Sequence, residues 1–267
     1  MLTILFVLFL FQGCSVKNSI QTPEIYEEHS ISKVELTQKD TASEEETSEF
    51  DDEFDDEVEV YDPLSQYNEF ITSFNDKLFI YALNPISKGY AYVLPEVFRT
   101  SLSNAFHNIK FPIRFTNNIL QGKFQNATDE FERFVVNSTI GIVGLFDPAK
   151  NYMNISAHNE DFGQTLGYYG VGSGFHIVLP FLGPSNIRDI LGLTVDCYLS
   201  PLLYQSGIKK YKIPQNYGQA IGIYSIDAIN KNALNLGAYE SLKKDAIDLY
   251  PFLRDIYEQK RTSDIEE

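Results

Sequence analysis

Apolar residues recur every three or four positions along most of the chain beyond residue 61, a spacing typical of amphipathic helices. The first such segment opens with Asp62-Pro63, an N-cap acid followed by proline, and is predicted to end at Asn84-Pro85. Residues 89–93 are then expected to form a connection. Further helices are predicted over 95–109, 112–122, 123–140, 184–198, 219–234 and 239–258, the last of them interrupted at Pro251, which indicates an all-α protein.

The first predicted helix carries two amides on a mostly apolar side. Asn68 and Asn75 lie seven positions apart, close to Phe74. Seven residues make nearly two helical turns, so the two amides share a face. Two interpretations are open: the amides line a polar passage, or they satisfy neighbouring backbone groups.

Between residues 159 and 196 the helical spacing gives way to a glycine-rich stretch. Each interior glycine costs a helix roughly 0.5–1 kcal/mol relative to alanine, so short elements joined by tight turns are predicted. Gly163, Gly170 and Gly172 are expected to need a positive φ or a close backbone approach. The apolar run over 175–182 is too short to cross a bilayer as a helix, which takes about 20 residues.

A second segment with flanking glycines, residues 141–146, is otherwise apolar and is closed by Asp147-Pro148. Exposed apolar loops are unfavourable in water but suit a membrane surface. We expect this loop to touch the acyl region or the mouth of a pore, and to move about Gly141 and Gly144.

The net charge of −16 is concentrated in one part of the chain. Residues 21–62 hold 17 Asp and Glu against Lys33 and Lys39, so the remainder is almost neutral. A nearly neutral globular part argues against nucleic-acid binding, for which a basic face is expected. The acidic run has no EF-hand spacing and indicates a solvated tether, because like charges repel and little apolar surface is available for burial.

The N-terminus has the pattern of a lipoprotein signal peptide. Residues 1–12 are an apolar run followed by Gly13-Cys14-Ser15, where a small residue precedes the cysteine that would be acylated. The predicted organisation is therefore a signal peptide (1–13), a lipidated N-terminus with the acidic tether (14–61), a helical domain (62–258) and a frayed tail (259–267). Cys197 is expected to be an inert buried thiol.

The sequence offers little that points to catalysis. Residues 170–174 resemble a phosphate loop but lack a following Lys-Ser/Thr. A hydrolase would need Ser173 or Ser185 beside His158 or His176, and Ser173 lacks a G-x-S-x-G setting. The four histidines show no paired spacing for a metal, so no metal or cofactor is expected. A phospholipase remains the alternative.

Several motifs occur in a distinctive order over residues 62–204. The central ones are Asp161-Phe162-Gly163-Gln164-Thr165-Leu166-Gly167, Tyr169-Gly170-Val171-Gly172, Val178-Leu179-Pro180, Leu182-Gly183-Pro184-Ser185 and Arg188-Asp189. Those upstream are Asp62-Pro63-Leu64, Tyr67-Asn68, Phe74-Asn75, Asn117-Asn118, Leu120-Gln121-Gly122, Arg133-Phe134 and Asn137-Ser138-Thr139-Ile140-Gly141. Together they closely resemble the signature of the MlaA (VacJ) family of outer-membrane lipoproteins, with Phe175-His176 in place of the usual Pro-Tyr.

This resemblance implies a fold and a function. The expected fold is a ring-like arrangement of short amphipathic helices with glycine-rich connecting loops, embedded in one leaflet (monotopic) and lipid-anchored. The expected function is non-catalytic: misplaced phospholipids leave the outer leaflet of the outer membrane through a central pore and pass to a periplasmic carrier protein. The family implies a trimeric porin as a further partner. A purely structural envelope lipoprotein is a second alternative.

The candidate pore or lipid contacts combine amides, charges and one aromatic ring. Arg188 and Asp189 are expected to pair with each other or with Asp161; alternatively, Arg188 binds a lipid phosphate through two parallel hydrogen bonds. The full set of candidates is Asn68, Phe74, Asn75, Asp161, Gln164, Arg188 and Asp189.

Overall fold

The computed structural model describes residues 62–205 and 211–267. The predicted signal peptide, the acylation of Cys14 and the acidic tether lie outside these residues and stay predictions.

The domain begins with a long, nearly continuous helical rod. Helix α1 (Ser65–Leu78) passes into a π-helical turn (Phe79–Leu83) and then into α2 (Asn84–Val93). The prediction that Asn84-Pro85 ends the helix, with a connection over 89–93, is therefore wrong. Pro85 lies in the first turn of α2, directly after the wider π-helical turn, where its missing N–H is tolerated.

The middle of the chain follows the predicted helices closely. Helices α3 (Glu96–Ile109), α4 (Phe111–Leu120) and α5 (Phe124–Thr139) lie where the apolar spacing placed them. A short helix that we did not predict, α6 (Pro148–Met153), follows the apolar loop. Asp147 caps it by accepting a hydrogen bond from the backbone N–H of Lys150 at 3.1 Å.

The glycine-rich stretch folds into short elements, as predicted, but it includes a β-hairpin. Helix α7 (Phe162–Tyr168) precedes antiparallel strands β1 (His176–Leu179) and β2 (Gly183–Asn186), which pair with His176 opposite Asn186. Helix α8 (Ile187–Leu199) starts after this hairpin and not at Pro184-Ser185, which belong to β2. Asn186 caps α8 by accepting from the N–H of Asp189 at 2.9 Å.

The last part of the chain contains α9 (Tyr217–Leu234), α10 (Ala238–Lys244) and α11 (Leu249–Glu266). Two expectations fail here. The helix predicted over 239–258 is interrupted, but the break lies at residues 245–248 and not at Pro251, which falls in the first turn of α11. The tail predicted to be frayed from residue 259 is helical to Glu266. Tertiary contacts of α11 hold this tail in place, as described below.

The helices contact one another in a closed circuit. Helix α2 packs on α9, α9 on α3, α3 on α4 and α5, and α4 on α7 and α8. Helix α7 packs on α11, and α11 returns to α1, which also contacts β1. The mostly helical, ring-like arrangement of short elements is thus confirmed, with one small hairpin added. Within the described ranges, no helix has both the length and the apolar character needed to cross a membrane.

Candidate functional site

The domain has polar residues inside and apolar residues outside. Among residues 62–205 and 211–267, 25 polar or charged residues are buried, against 13 apolar ones. In the same ranges 36 large apolar residues are exposed. Water-soluble proteins bury apolar side chains preferentially, and large exposed apolar surfaces mark contact with a membrane or a partner.

Helix α5 shows this inversion within a single element. Its buried side includes Glu130, Arg133 and Asn137, which recur at helical spacing. The exposed side carries Phe131 and Val135. The helix is amphipathic, as the sequence predicts, and the apolar stripe faces away from the protein interior.

The buried charges around α5 are paired. Glu130 is fully buried and accepts from Arg114 Nε at 2.7 Å and from the N–H of His158 at 2.7 Å. Arg133 donates to Asp147 at 2.7 Å. Although burial alone would raise it, hydrogen bonds from Asn137 and Arg133 hold the pKa of Asp147 below its usual value. These pairs allow charged groups to occupy the interior.

A second polar centre, which we call the Arg261 clamp, joins α7, α8 and α11. It consists of Asp161, Asp189 and Arg261. The Arg261 guanidinium donates to both oxygens of Asp161 at 2.9 Å, and to both oxygens of Asp189 at 2.9 and 2.8 Å. Tyr257 donates to Asp189 at 2.6 Å. Arg261 is not among the predicted site residues, because the sequence around it predicts a frayed tail.

The remaining predicted residues of the central stretch surround the clamp. Arg188 is 6% exposed and its Nε donates to Asp189 at 3.1 Å, so the pairing interpretation is realised in the structure. Gln164 and Asp161 form a reciprocal capping box at the start of α7, with both hydrogen bonds at 2.8 Å. The structure therefore brings Asp161, Gln164, Arg188 and Asp189 together.

A narrow cleft of about 90 Å³ lies beside the Arg261 clamp. Its walls are partly apolar, from Leu179, Leu182, Pro184 and Leu193, and partly charged, from Asp161, Asp189, Asp196 and Arg261. Burial, followed by the charge of Asp161, raises the pKa of Asp196 to about 7. A cleft of this size accommodates ordered water rather than a phospholipid.

Asn68 and Asn75 bind the backbone of the hairpin region in the same way. The Asn68 side chain accepts from the N–H of Val178 at 2.8 Å and donates to the carbonyl of His176 at 3.1 Å. Asn75 accepts from the N–H of Phe181 at 2.8 Å and donates to the carbonyl of Leu179 at 2.9 Å. Both amides thus satisfy backbone groups, and Asn68 is fully buried.

Phe74, the aromatic candidate, is partly exposed beside this anchor. Its ring packs edge-to-face on Phe181, with centroids 5.5 Å apart. Phe181 adopts a φ of +67° at the hairpin turn, a conformation that a bulky side chain rarely takes. The exposed Phe74–Phe181 pair leaves the lipid-contact prediction for Phe74 open.

The apolar loop 141–146 is exposed but closely fixed. Ile142, Val143 and Gly144 have successive φ values of 52°, 58° and 84°. The N–H of Gly144 donates to the Asn137 carbonyl at 2.7 Å, and a Cβ on Gly144 would overlap Asn108. A Cβ on Gly141 would lie 2.5 Å from backbone oxygens. Both glycines are required by the packing of this conformation, whereas the predicted movement about them stays a prediction.

The three glycines predicted to be special in the central stretch differ. Gly163 has a close approach, since its Cβ would lie 2.5 Å from Asp189 Oδ1 and 2.7 Å from Arg261 Nη2. Gly170 has a positive φ of +82°. Gly172 has neither, so the prediction for Gly172 is wrong.

The residues considered for catalysis are not assembled into a triad. His158 Nε2 lies 3.1 Å from Asp129, and His176 Nδ1 lies 3.1 Å from Glu258. Ser173 Oγ has only the Gly174 carbonyl, 3.4 Å away, as a hydrogen-bond partner in the described part of the chain. Over the same residues, no group of three His, Cys, Asp or Glu is placed to hold a metal.

Comparison with known proteins agrees with this architecture. A family model described as MlaA lipoprotein matches residues 60–264. A solved structure described as the structural basis for maintenance of bacterial outer membrane lipid asymmetry is 26% identical, with a TM-score of 0.63, over 76% of this chain and 98% of that one.

Similar sequences include two proteins named intermembrane phospholipid transport system lipoprotein MlaA. The one from Haemophilus influenzae is 30% identical over 201 residues, covering 74% of this chain and 76% of that protein. The one from Escherichia coli is 29% identical over 202 residues, with the same coverage of 74% and 76%. An uncharacterised protein from Rickettsia bellii is 30% identical over 209 residues, 78% of each chain.

Proposed function

Because the chain belongs to the MlaA lipoprotein family, we propose that it removes mislocalised phospholipids from the outer leaflet of the outer membrane and passes them to a periplasmic carrier through a central pore. The observation that supports this most is the inverted distribution of residues, with 25 polar or charged residues buried and 36 large apolar residues exposed in the described ranges.

The inversion fits a protein that lies within one leaflet. Acyl chains would cover the exposed apolar residues. Polar groups would stay inside the protein, because the acyl region holds no water to solvate them. A closed circuit of helices with polar inner faces could surround a head group that would otherwise have to cross hydrocarbon. Such a route needs no bond to be made or broken, only a lower barrier than unaided flipping.

Several parts of the proposal come from the family. These are the outer-membrane location, the periplasmic carrier and a trimeric porin as partner, whereas the acyl anchor on Cys14 is proposed from the Gly13-Cys14-Ser15 pattern. Among the candidate contacts, Phe74 keeps an exposed aromatic surface, whereas Asn68, Gln164, Arg188 and Asp189 are buried. We propose that these buried residues set the shape of the ring and that Phe74 contacts lipid.

The proposal also excludes hydrolysis as the activity. It is supported by the serine partners, since no hydrogen bond among the described residues joins Ser173 or Ser185 to His158 or His176, and Ser173 Oγ has the Gly174 carbonyl as its partner. A phospholipase would need a serine hydroxyl within reach of an imidazole.

Deletion of the gene in its native host tests the function. We expect phospholipid to accumulate on the cell surface, measured by chemical labelling of intact cells, and complementation by the full chain to reverse this. Complementation with Cys14→Ser tests the anchor, because the unacylated chain should fail to restore asymmetry. A deletion strain with an unchanged surface phospholipid content contradicts the proposal.

A further inference from the structure

A positively charged site lies where the end of α3 meets α9. Lys110 follows the last residue of α3, and Lys231 lies one turn after Asp227 on α9. The Lys110 ammonium donates to Asp227 Oδ2 at 2.7 Å, and the Lys231 ammonium is 3.1 Å from the same oxygen. Two ammonium groups thus share one carboxylate oxygen, and the group of three carries a net charge of +1.

The arrangement is open on the lysine side. The Asp227 side chain is 5% exposed, whereas those of Lys110 and Lys231 are 24% and 33% exposed. Each ammonium has three N–H donors. In the described part of the chain neither lysine has an ion pair with another carboxylate. Donors and positive charge therefore remain for a ligand that approaches from outside.

The local electrostatics favour an anion. Burial first, and then the like charge of Lys231, lowers the pKa of Lys110 to about 8, so this ammonium stays mostly protonated at neutral pH. Although burial would raise it, the charges of Lys110 and Lys231 hold the pKa of Asp227 below its usual value, so this carboxylate stays ionised. One carboxylate cannot neutralise both lysines.

We infer that Lys110 and Lys231 together bind a phosphate group. A phosphate presents several acceptor oxygens and negative charge, so it can receive hydrogen bonds from both ammonium groups at once. The source of the phosphate is either a phospholipid head group, which rests on the function proposed above, or free phosphate. Neither Lys110 nor Lys231 stands out in the sequence, since 121 positions separate them and only the packing of α3 on α9 joins them.

Binding to the purified full chain in detergent micelles tests the inference. One arm titrates phosphatidylglycerol, a second titrates diacylglycerol, which lacks the phosphate, and a third titrates inorganic phosphate. The variants are Lys110→Gln with Lys231→Gln, and the matched control is Lys77→Gln, an exposed lysine on α1. We expect the double variant to bind the phosphate-bearing ligand about tenfold more weakly, the control to bind as wild type, and diacylglycerol binding to be unchanged throughout.

A further variant separates ligand binding from a structural role. Asp227→Asn removes the one negative charge of the site with little change of shape, and its binding is measured in mildly acidic buffer, because loss of this carboxylate lowers the pKa of Lys110 further. It should tighten phosphate binding about threefold or more, whereas damage to the fold could only weaken it.

Each result has a defined meaning. Loss of phosphatidylglycerol binding in the double variant supports the site and identifies the head group as source. If the double variant loses binding of inorganic phosphate but not of phosphatidylglycerol, the site is supported and free phosphate is its ligand. If the wild type binds inorganic phosphate but does not bind phosphatidylglycerol, the site is supported and the proposed transport function is contradicted. The inference is overturned if the wild type and the double variant bind both ligands equally, or if the wild type binds neither. It is also overturned if Asp227→Asn binds more weakly while its unfolding transition matches that of the wild type.

Discussion

Gly163 on α7 and Gly192 on α8 touch backbone to backbone. A Cβ on Gly192 would overlap the backbone nitrogen of Gly163 and lie 2.7 Å from its Cα. This contact lets the two helices approach closely enough for Arg261 to reach both Asp161 and Asp189.

Gly192→Ala should therefore destabilise the domain by about 2 kcal/mol or more, because the added methyl group meets backbone that cannot rotate away. Thermal or denaturant unfolding measures this. Gly89→Ala is the matched control, since Gly89 lies within α2 with open space around its Cβ. That change should leave stability unchanged or raise it by about 0.5–1 kcal/mol. Equal effects of the two substitutions would show that the close approach is not required.

Removing the Arg261 cation should destabilise the junction of α7, α8 and α11. In Arg261→Met the buried carboxylate of Asp189 loses its main partner, which costs about 3–5 kcal/mol for a buried pair. Lys260→Met is the control, because Lys260 pairs with Asp264 at the surface and such pairs contribute at most about 1 kcal/mol. Chemical denaturation of both variants decides the matter. A loss in Arg261→Met no larger than in Lys260→Met contradicts a central role for the clamp.

The two asparagines of α1 should protect different amides. Asn68→Ala removes the acceptor of the Val178 N–H, and Asn75→Ala removes that of the Phe181 N–H. Hydrogen exchange should accelerate at Val178 in the first variant and at Phe181 in the second. Asn68→Ala should also cost more stability, about 2–4 kcal/mol, because the groups it leaves unpaired are buried. Unchanged exchange at both amides would refute the anchoring of the hairpin region.

Asp196 should make stability depend on pH. Its pKa is raised from 3.8 to about 7 by burial and by Asp161, so the folded state binds a proton that the unfolded state has lost. Proton binding by Asp196 therefore adds about 4 kcal/mol at most to the free energy of unfolding. This contribution is fully present below about pH 4 and is lost as the pH rises through 7. The free energy of unfolding, measured from pH 4 to pH 8, should therefore decrease more for wild type than for Asp196→Asn. A difference between the two proteins that does not change with pH contradicts this.

Much of the fold can be predicted from the spacing of apolar residues along the chain. Where that prediction is wrong, the error has a physical cause. Helices α3, α4 and α5 carry regular apolar stripes, so they were predictable whichever way the stripes face. Pro85 was misleading because a π-helical turn lets the rod continue past it. The β-hairpin lies in an apolar run with no periodicity of its own, and its partners Asn68 and Asn75 are about 100 residues earlier.

The site was only partly visible in the sequence for a similar reason. Asp161, Gln164, Arg188 and Asp189 lie within one motif-rich stretch, and they do assemble. Arg261 does not stand out in a polar tail, because its role exists only once α11 packs on α7. The resemblance supplied the family, whereas the inversion of buried and exposed residues required the structure.

We propose that this protein conducts intact phospholipid and does not cleave it. The most direct test reconstitutes the purified chain in vesicles with labelled phospholipid, adds an acceptor carrier, and follows both labelled lipid on the carrier and released fatty acid. We expect wild type and Ser173→Ala to transfer intact lipid at equal rates with no fatty acid released. Release of fatty acid by wild type that is lost in Ser173→Ala would show instead that the protein is a hydrolase.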